Sequence, residues 1–168
     1  MMIEATKLIG LPVAAEDTLS KAGEIRQIVV DPENGHILGF SVSGSLFSHP
    51  KVLSIMDVKF WDPAGLVTEK QNNLVEIKEI VRVQNVLAKK IDLLQMPAKT
   101  QSGKSLGHVE NFLIDTNTET VVKYYLRDLL GKSRILPSDK VISIDKVITF
   151  ADDAGVEVSG LRLEVEGS

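Results

Sequence analysis

The feature that most constrains this chain is an internal repeat. Displaced by 84 residues, Ala22-Gly23-Glu24-Ile25-Arg26-Gln27-Ile28-Val29-Val30-Asp31 falls on Leu106-Gly107-His108-Val109-Glu110-Asn111-Phe112-Leu113-Ile114-Asp115. Gly meets Gly, Asp meets Asp, and the apolar positions between them coincide. The match runs on through Ile37-Leu38 over Val121-Val122, Phe40 over Tyr124 and Val42 over Leu126. At an offset of 83, Val52-Leu53 falls on Ile135-Leu136, Val58 on Val141 and Asp62 on Asp145. A Gly, an Asp and a later strand at nearly constant spacing are the signature of a duplicated unit. The 168 residues therefore divide into two small domains.

The repeated pattern reads as β-structure. Residues 25–30 are rich in β-branched side chains and end at Asp31-Pro32-Glu33-Asn34-Gly35. That segment suits a turn: Pro presets φ, Asn tolerates the left-handed region and Gly takes positive φ without strain. Residues 37–42 return as the second strand of a hairpin. In the second copy Asp115-Thr116-Asn117-Thr118-Glu119-Thr120 replaces the turn, with side-chain hydrogen bonds in place of Pro and Gly. Gly23, Asp31, Gly35, Gly107 and Asp115 are thus expected as structural turn positions of the repeat. Further short strands follow near 52–55, 58–61 and 65–68, and again near 134–136, 141–144 and 147–150. Such spacing predicts a small barrel in each copy.

Between the copies, apolar residues at Leu74, Ile77, Val81, Val83, Val86, Leu87 and Ile91 approximate a helical period. Asn73 reads as its N-cap, with Glu76 as capping-box partner. The predicted fold is mainly β, two small barrels joined by one α-helix, divided as 1–72, 73–92 and 93–168. Alternation at Val156, Val158, Leu161, Leu163 and Val165 points to a further strand or a tail.

The unit resembles the PRC-barrel domain, the small barrel of the photosynthetic reaction centre H subunit and of the ribosome maturation factor. The resemblance rests on Lys21-Ala22-Gly23-Glu24-Ile25 through residues 31–35. In the second copy it rests on Ser102-Gly103-Lys104-Ser105-Leu106-Gly107-His108-Val109 through Asp115. Leu8-Ile9-Gly10-Leu11-Pro12-Val13 looks like the opening segment, and Leu136-Pro137-Ser138-Asp139-Lys140-Val141 like the strand near the end. What the resemblance implies is an adaptor-like module that contacts protein or ribosomal partners, with no catalytic residues to carry over.

Composition narrows the chemistry. There is no Cys, which removes disulfides, thiolate metal sites and Cys nucleophiles. His36, His49 and His108 stand alone, without ligand spacing. Gly103-Lys104-Ser105 lacks the upstream Gly of a phosphate loop, since Ala98 stands there. The expectation is a protein that is not an enzyme and holds no cofactor or metal. The first residues carry neither a basic segment nor a long apolar run, so a soluble cytoplasmic chain with no transmembrane segment is expected. Net charge is −4, which disfavours a broadly basic nucleic-acid binder.

Two surfaces remain as candidates. Leu46 and Phe47, in an uncharged loop, and Phe60, outward-facing beside Trp61, suit a protein partner. Lys123, Tyr125, Arg127, Lys132 and Arg134 combine basic and aromatic side chains, the chemistry of an RNA- or ribosome-binding strand. A homodimer through the helix is also allowed.

Overall fold

The computed structural model describes residues 1–153 and the backbone of 156–158. In chain order the elements are β1 (Met2–Glu4), α1 (Ala5–Leu8), β2 (Pro12–Ala15), β3 (Ser20–Val30), β4 (Ile37–Ser43), β5 (Lys51–Ser54), β6 (Phe60–Asp62), β7 (Gly65–Thr68), β8 (Leu74–Val75), α2 (Val81–Ala88), β9 (Pro97–Thr100), β10 (Ser105–Asp115), β11 (Thr120–Arg127), β12 (Ser133–Pro137), β13 (Val141–Ile144), β14 (Ile148–Phe150) and β15 (Val156–Val158). The chain is mainly β and forms two sheets.

The elements group into two compact units. The leading unit holds Thr6–Asp31 and Ile37–Lys89. The trailing unit holds Met1–Ala5, Pro32–His36 and Lys90–Ser168.

In the leading unit the strand order is β6-β7-β2-β3-β4-β5-β8. The pairing of β2 with β7 is parallel and the rest are antiparallel. Alternating apolar residues turn inward to a core of Val13, Ile25, Phe40, Val42, Leu53 and Leu66, each at most 1% exposed. The helix α2 adds Val83 and Val86 to it.

The trailing unit repeats the arrangement as β13-β14-β9-β10-β11-β12-β15, with β9 and β14 as its parallel pair. β1 adds to β10, with Met2 opposite Asp115 and Glu4 opposite Leu113. The core is aromatic: Tyr124 lies edge-on to Phe150 at 5.6 Å and 6.4 Å from Phe112. Burial pushes the Tyr124 phenol well above its usual pKa.

The likeness extends to irregularities. In the β3–β4 hairpin the register slips between Ile25 and Gln27 and again between Val29 and Val30. In the β10–β11 hairpin it slips between Val109 and Asn111 and between Leu113 and Ile114. All four positions are related by the 84-residue offset. A bulge re-aims one side chain and sharpens local twist, and here it does so at the same place in each hairpin.

Two expectations need correction. The helix is α2 alone, not the whole of 73–92. Residues 71–73 form a 3₁₀ turn in which the Asn73 side-chain Nδ2 donates to Thr68 Oγ1 at 2.9 Å, and Ile77–Glu79 forms another. The capping box joins Glu76 and Glu79 on that second turn, three residues later than the sequence suggests. Gly23 and Gly107 are not turn residues either. Both lie inside strands, where the neighbouring strand passes too close for a side chain. A Cβ on Gly107 would sit 2.1 Å from the Arg127 carbonyl oxygen.

Gly35 and Glu119 do occupy the turns, both with positive φ, 75° and 58°. Residues 161–165 lie outside the described residues. Among the described residues no helix is long and apolar enough to cross a membrane.

Candidate interaction surface

The candidate surface of the leading unit is built where β3 begins and β4 ends. Glu24 pairs with Ser43 and Ile25 with Val42. Gly23 makes this approach possible, since a Cβ there would lie 2.7 Å from both the Ser43 oxygen and Val42 Cγ1. Gly44 leaves the next step open, with the Ala22 oxygen only 3.0 Å from where its Cβ would be. Two missing side chains and a bulge leave a cleft of about 460 Å³, lined by Lys21, Glu24, Arg26, Ser43, Ser45 and Leu46 together with Ala22 and the two glycines.

The bulge turns Arg26 across the hairpin. Its Nε donates to Ser43 Oγ at 2.5 Å, and its Nη2 lies 3.3 Å from Glu24 Oε2. Lys21 Nζ donates to the other oxygen of Glu24 at 2.6 Å. The hydrogen bond and charge of Lys21, with Arg26 behind them, hold the Glu24 carboxyl below its ordinary pKa. These groups are solvent-facing, so the network positions side chains more than it stabilises the fold.

Leu46 forms the lip of the cleft and is 76% exposed. Phe47 is half-buried, its amide donating to the Gly44 carbonyl at 3.0 Å and Lys51 Nζ standing 5.2 Å above its ring. Beyond the loop, His49 Nε2 meets Glu76 Oε2 at 2.5 Å, and this bond draws the Glu76 carboxyl down. Phe60 belongs elsewhere. It lies on the edge strand β6, 54% exposed, while Trp61 turns inward edge-on to Phe40 at 5.5 Å.

The five residues expected to form an RNA-binding strand do not share a surface. Tyr125 and Arg134 are buried, at 4% and 5% exposure. Arg134 Nη1 donates to Asp128 Oδ2 at 3.2 Å, and Arg127 Nε donates to Glu110 Oε1 at 3.0 Å. Burial first, and the Glu4 carboxylate second, raise the Tyr125 phenol. Residues 124–126 are buried in succession, so both faces of β11 are covered there and no ring is left for a base to stack on. Lys123, Arg127 and Lys132 are exposed.

The other repeat positions are structural. Asp31 is buried and takes an ion pair from Arg82 of α2. Asp115 closes its turn by accepting the Asn117 amide at 2.9 Å. Among the described residues no group of three or more His, Asp or Glu side chains could hold a metal ion.

Sequence reasoning missed one pair. Leu129 and Leu130, between β11 and β12, are 102% and 87% exposed. The signal was present, because the 83-residue offset lays Leu46-Phe47 over Leu129-Leu130.

The family model of the PRC-barrel domain matches residues 1–84, half of the 168-residue chain. The chain belongs to the PRC-barrel domain family. No curated protein matches it. PRC-barrel domains are protein-interaction modules. The matched part holds every residue of the cleft, from Lys21 to Leu46, and β9 to β15, outside it, follow the same strand order.

Proposed function

We propose that this PRC-barrel protein is a non-enzymatic cytoplasmic adaptor that holds a segment of a protein partner in the cleft beside Leu46. The observation that carries the reading is the cleft itself, a ready concavity lined by an exposed apolar side chain and by paired, solvent-facing charges. An apolar side chain of the partner packs on Leu46, and polar groups beside it exchange bonds with Lys21, Glu24, Arg26 and Ser43. An apolar anchor with a polar surround is the usual anatomy of a recognition patch. The charged groups already bond one another, so the site is shaped before the partner arrives.

We further propose that the trailing unit is a second PRC-like barrel produced by duplication. The common strand order and the four equivalent register slips support this.

Affinity capture from the native cell with the intact chain tests the adaptor. A specific partner is expected to be lost when Leu46 and Phe47 become Ser, and to weaken when Lys21 and Arg26 become Ala. Capture unchanged in both variants removes the cleft from the reading. A reaction abolished by a single His or Asp substitution replaces the adaptor with an enzyme.

A further inference from the structure

We propose that Asn34 is a site of spontaneous covalent modification, converting by loss of ammonia to aspartate and isoaspartate in the folded protein. Of the six asparagines only Asn34 precedes a glycine. The others precede Asn73, Leu74, Val86, Phe112 and Thr118, whose side chains crowd the amide that would have to react.

The turn presents the nucleophile. Asn34 is exposed, and Gly35 takes a left-handed φ of 75°. A Cβ on Gly35 would meet nothing within 4 Å, so no neighbour fills the space beside it. Among the described residues the Gly35 amide gives no hydrogen bond. At the equivalent place in the second turn, Glu119 N donates to the Asp115 carbonyl at 2.8 Å. An amide tied to no carbonyl is the one available to attack.

The electrophile is held as well. The His36 amide donates to Asn34 Oδ1 at 3.0 Å. This bond folds the side chain back along the Gly35 peptide, so that Asn34 Cγ and Gly35 N belong to one hydrogen-bonded ring. The donor draws electron density away from Cγ. As charge builds on Oδ1 the bond strengthens, which is how an oxyanion hole works.

The step balances with water alone. Gly35 N attacks Asn34 Cγ and forms a cyclic imide. The bond from Cγ to the side-chain nitrogen breaks, and that nitrogen leaves as ammonia with the proton given up by Gly35. Water then opens the imide. Addition at Cγ gives aspartate, and addition at the backbone carbonyl gives isoaspartate, whose main chain runs through the side-chain carbon. Either product sets a new carboxylate beside Glu33. Isoaspartate also lengthens the chain just before Gly35, whose carbonyl accepts the Val121 amide at 3.0 Å while His36 bridges to Thr120. That product loosens the seat of the turn on β11.

Prolonged incubation of the full chain at neutral to mildly alkaline pH tests the proposal, read by peptide mapping and by enzymatic methylation of isoaspartyl carboxylates. The expected result is an acid in place of the amide at Asn34, a methyl label in the same peptide, and an intact Asn117. Hydrogen exchange at the Val121 amide is expected to quicken in the converted fraction. Asn34→Gln is expected to lose the label. The folded chain is expected to convert at least as fast as the urea-unfolded chain, in which His36 no longer holds the carbonyl. An Asn34 that stays intact overturns the proposal, as does conversion confined to the unfolded chain. A label that persists in Asn34→Gln places the reaction elsewhere and overturns it too.

Discussion

Arg82, 66% exposed on α2, reaches down to the carboxylate of Asp31, whose side chain is only 7% exposed. The pair ties the only α-helix of the leading unit longer than a single turn to the end of β3. Replacing Arg82 with Ala should cost about 1–2 kcal/mol, less than a fully buried pair because the arginine is largely in solvent. Urea denaturation checks this, and Arg82→Lys should recover part of the loss.

The glycines predict a graded series. Gly107→Ala places a Cβ 2.1 Å from the Arg127 oxygen and 2.5 Å from its carbon, at a φ of 91°. Neither strand backbone can yield cheaply, so a loss of about 3 kcal/mol or more is expected. Gly131→Ala meets open space and carries only the strain of its φ, about 1 kcal/mol. Equal losses in the two variants, measured by denaturant melts, would contradict this account.

Gly35 and Glu119 offer a reciprocal test. Both sit at the same place in their turns with positive φ. Gly35→Ala should destabilise by about 1 kcal/mol, while Glu119→Gly should stabilise by a few tenths to about 1 kcal/mol as the left-handed strain is relieved. Thermal melts of the two single variants decide it.

Asp128 gives a pH dependence. Desolvation pushes its carboxyl up, but hydrogen bonds from the Lys132 amide, Arg134 and the Leu130 amide outweigh that and leave it below the ordinary value. A depressed folded pKa means support that is complete above the unfolded value, about 3.9, and lost as pH falls through the folded one. Amide NMR signals of residues 129–132 should therefore stay fixed from neutral pH down to about pH 4 and shift below it. Asp128→Ala should show the loosened turn already at neutral pH.

The strands were legible because alternation and turn chemistry are local. Residues 25–30 and 37–42 announce themselves through β-branched side chains around Asp31-Pro32-Glu33-Asn34-Gly35, and the structure places β3 and β4 there. The helix was overextended because Leu74 and Ile77 fit a helical period. Their backbone is a short strand and a 3₁₀ turn, and only the later Val83 and Val86 face the core from α2. Gly23 and Gly107 were recognised but misread, since close approach of a partner strand is a long-range fact. The basic strand failed for a similar reason: alternation says which side chains share a face, not that a second layer covers Tyr125. The cleft was legible only through Leu46, because its volume depends on Gly44 and the bulge at Arg26.

The assignment of Met1–Ala5 and Pro32–His36 to the trailing unit has an evolutionary consequence. Followed from its first residue, the polypeptide passes from one unit to the other four times. Genetic recombination at any single junction would therefore divide at least one unit, stripping β1 from β10 or the hairpin tip from its bond between Gly35 and Val121. The two units are therefore inherited together.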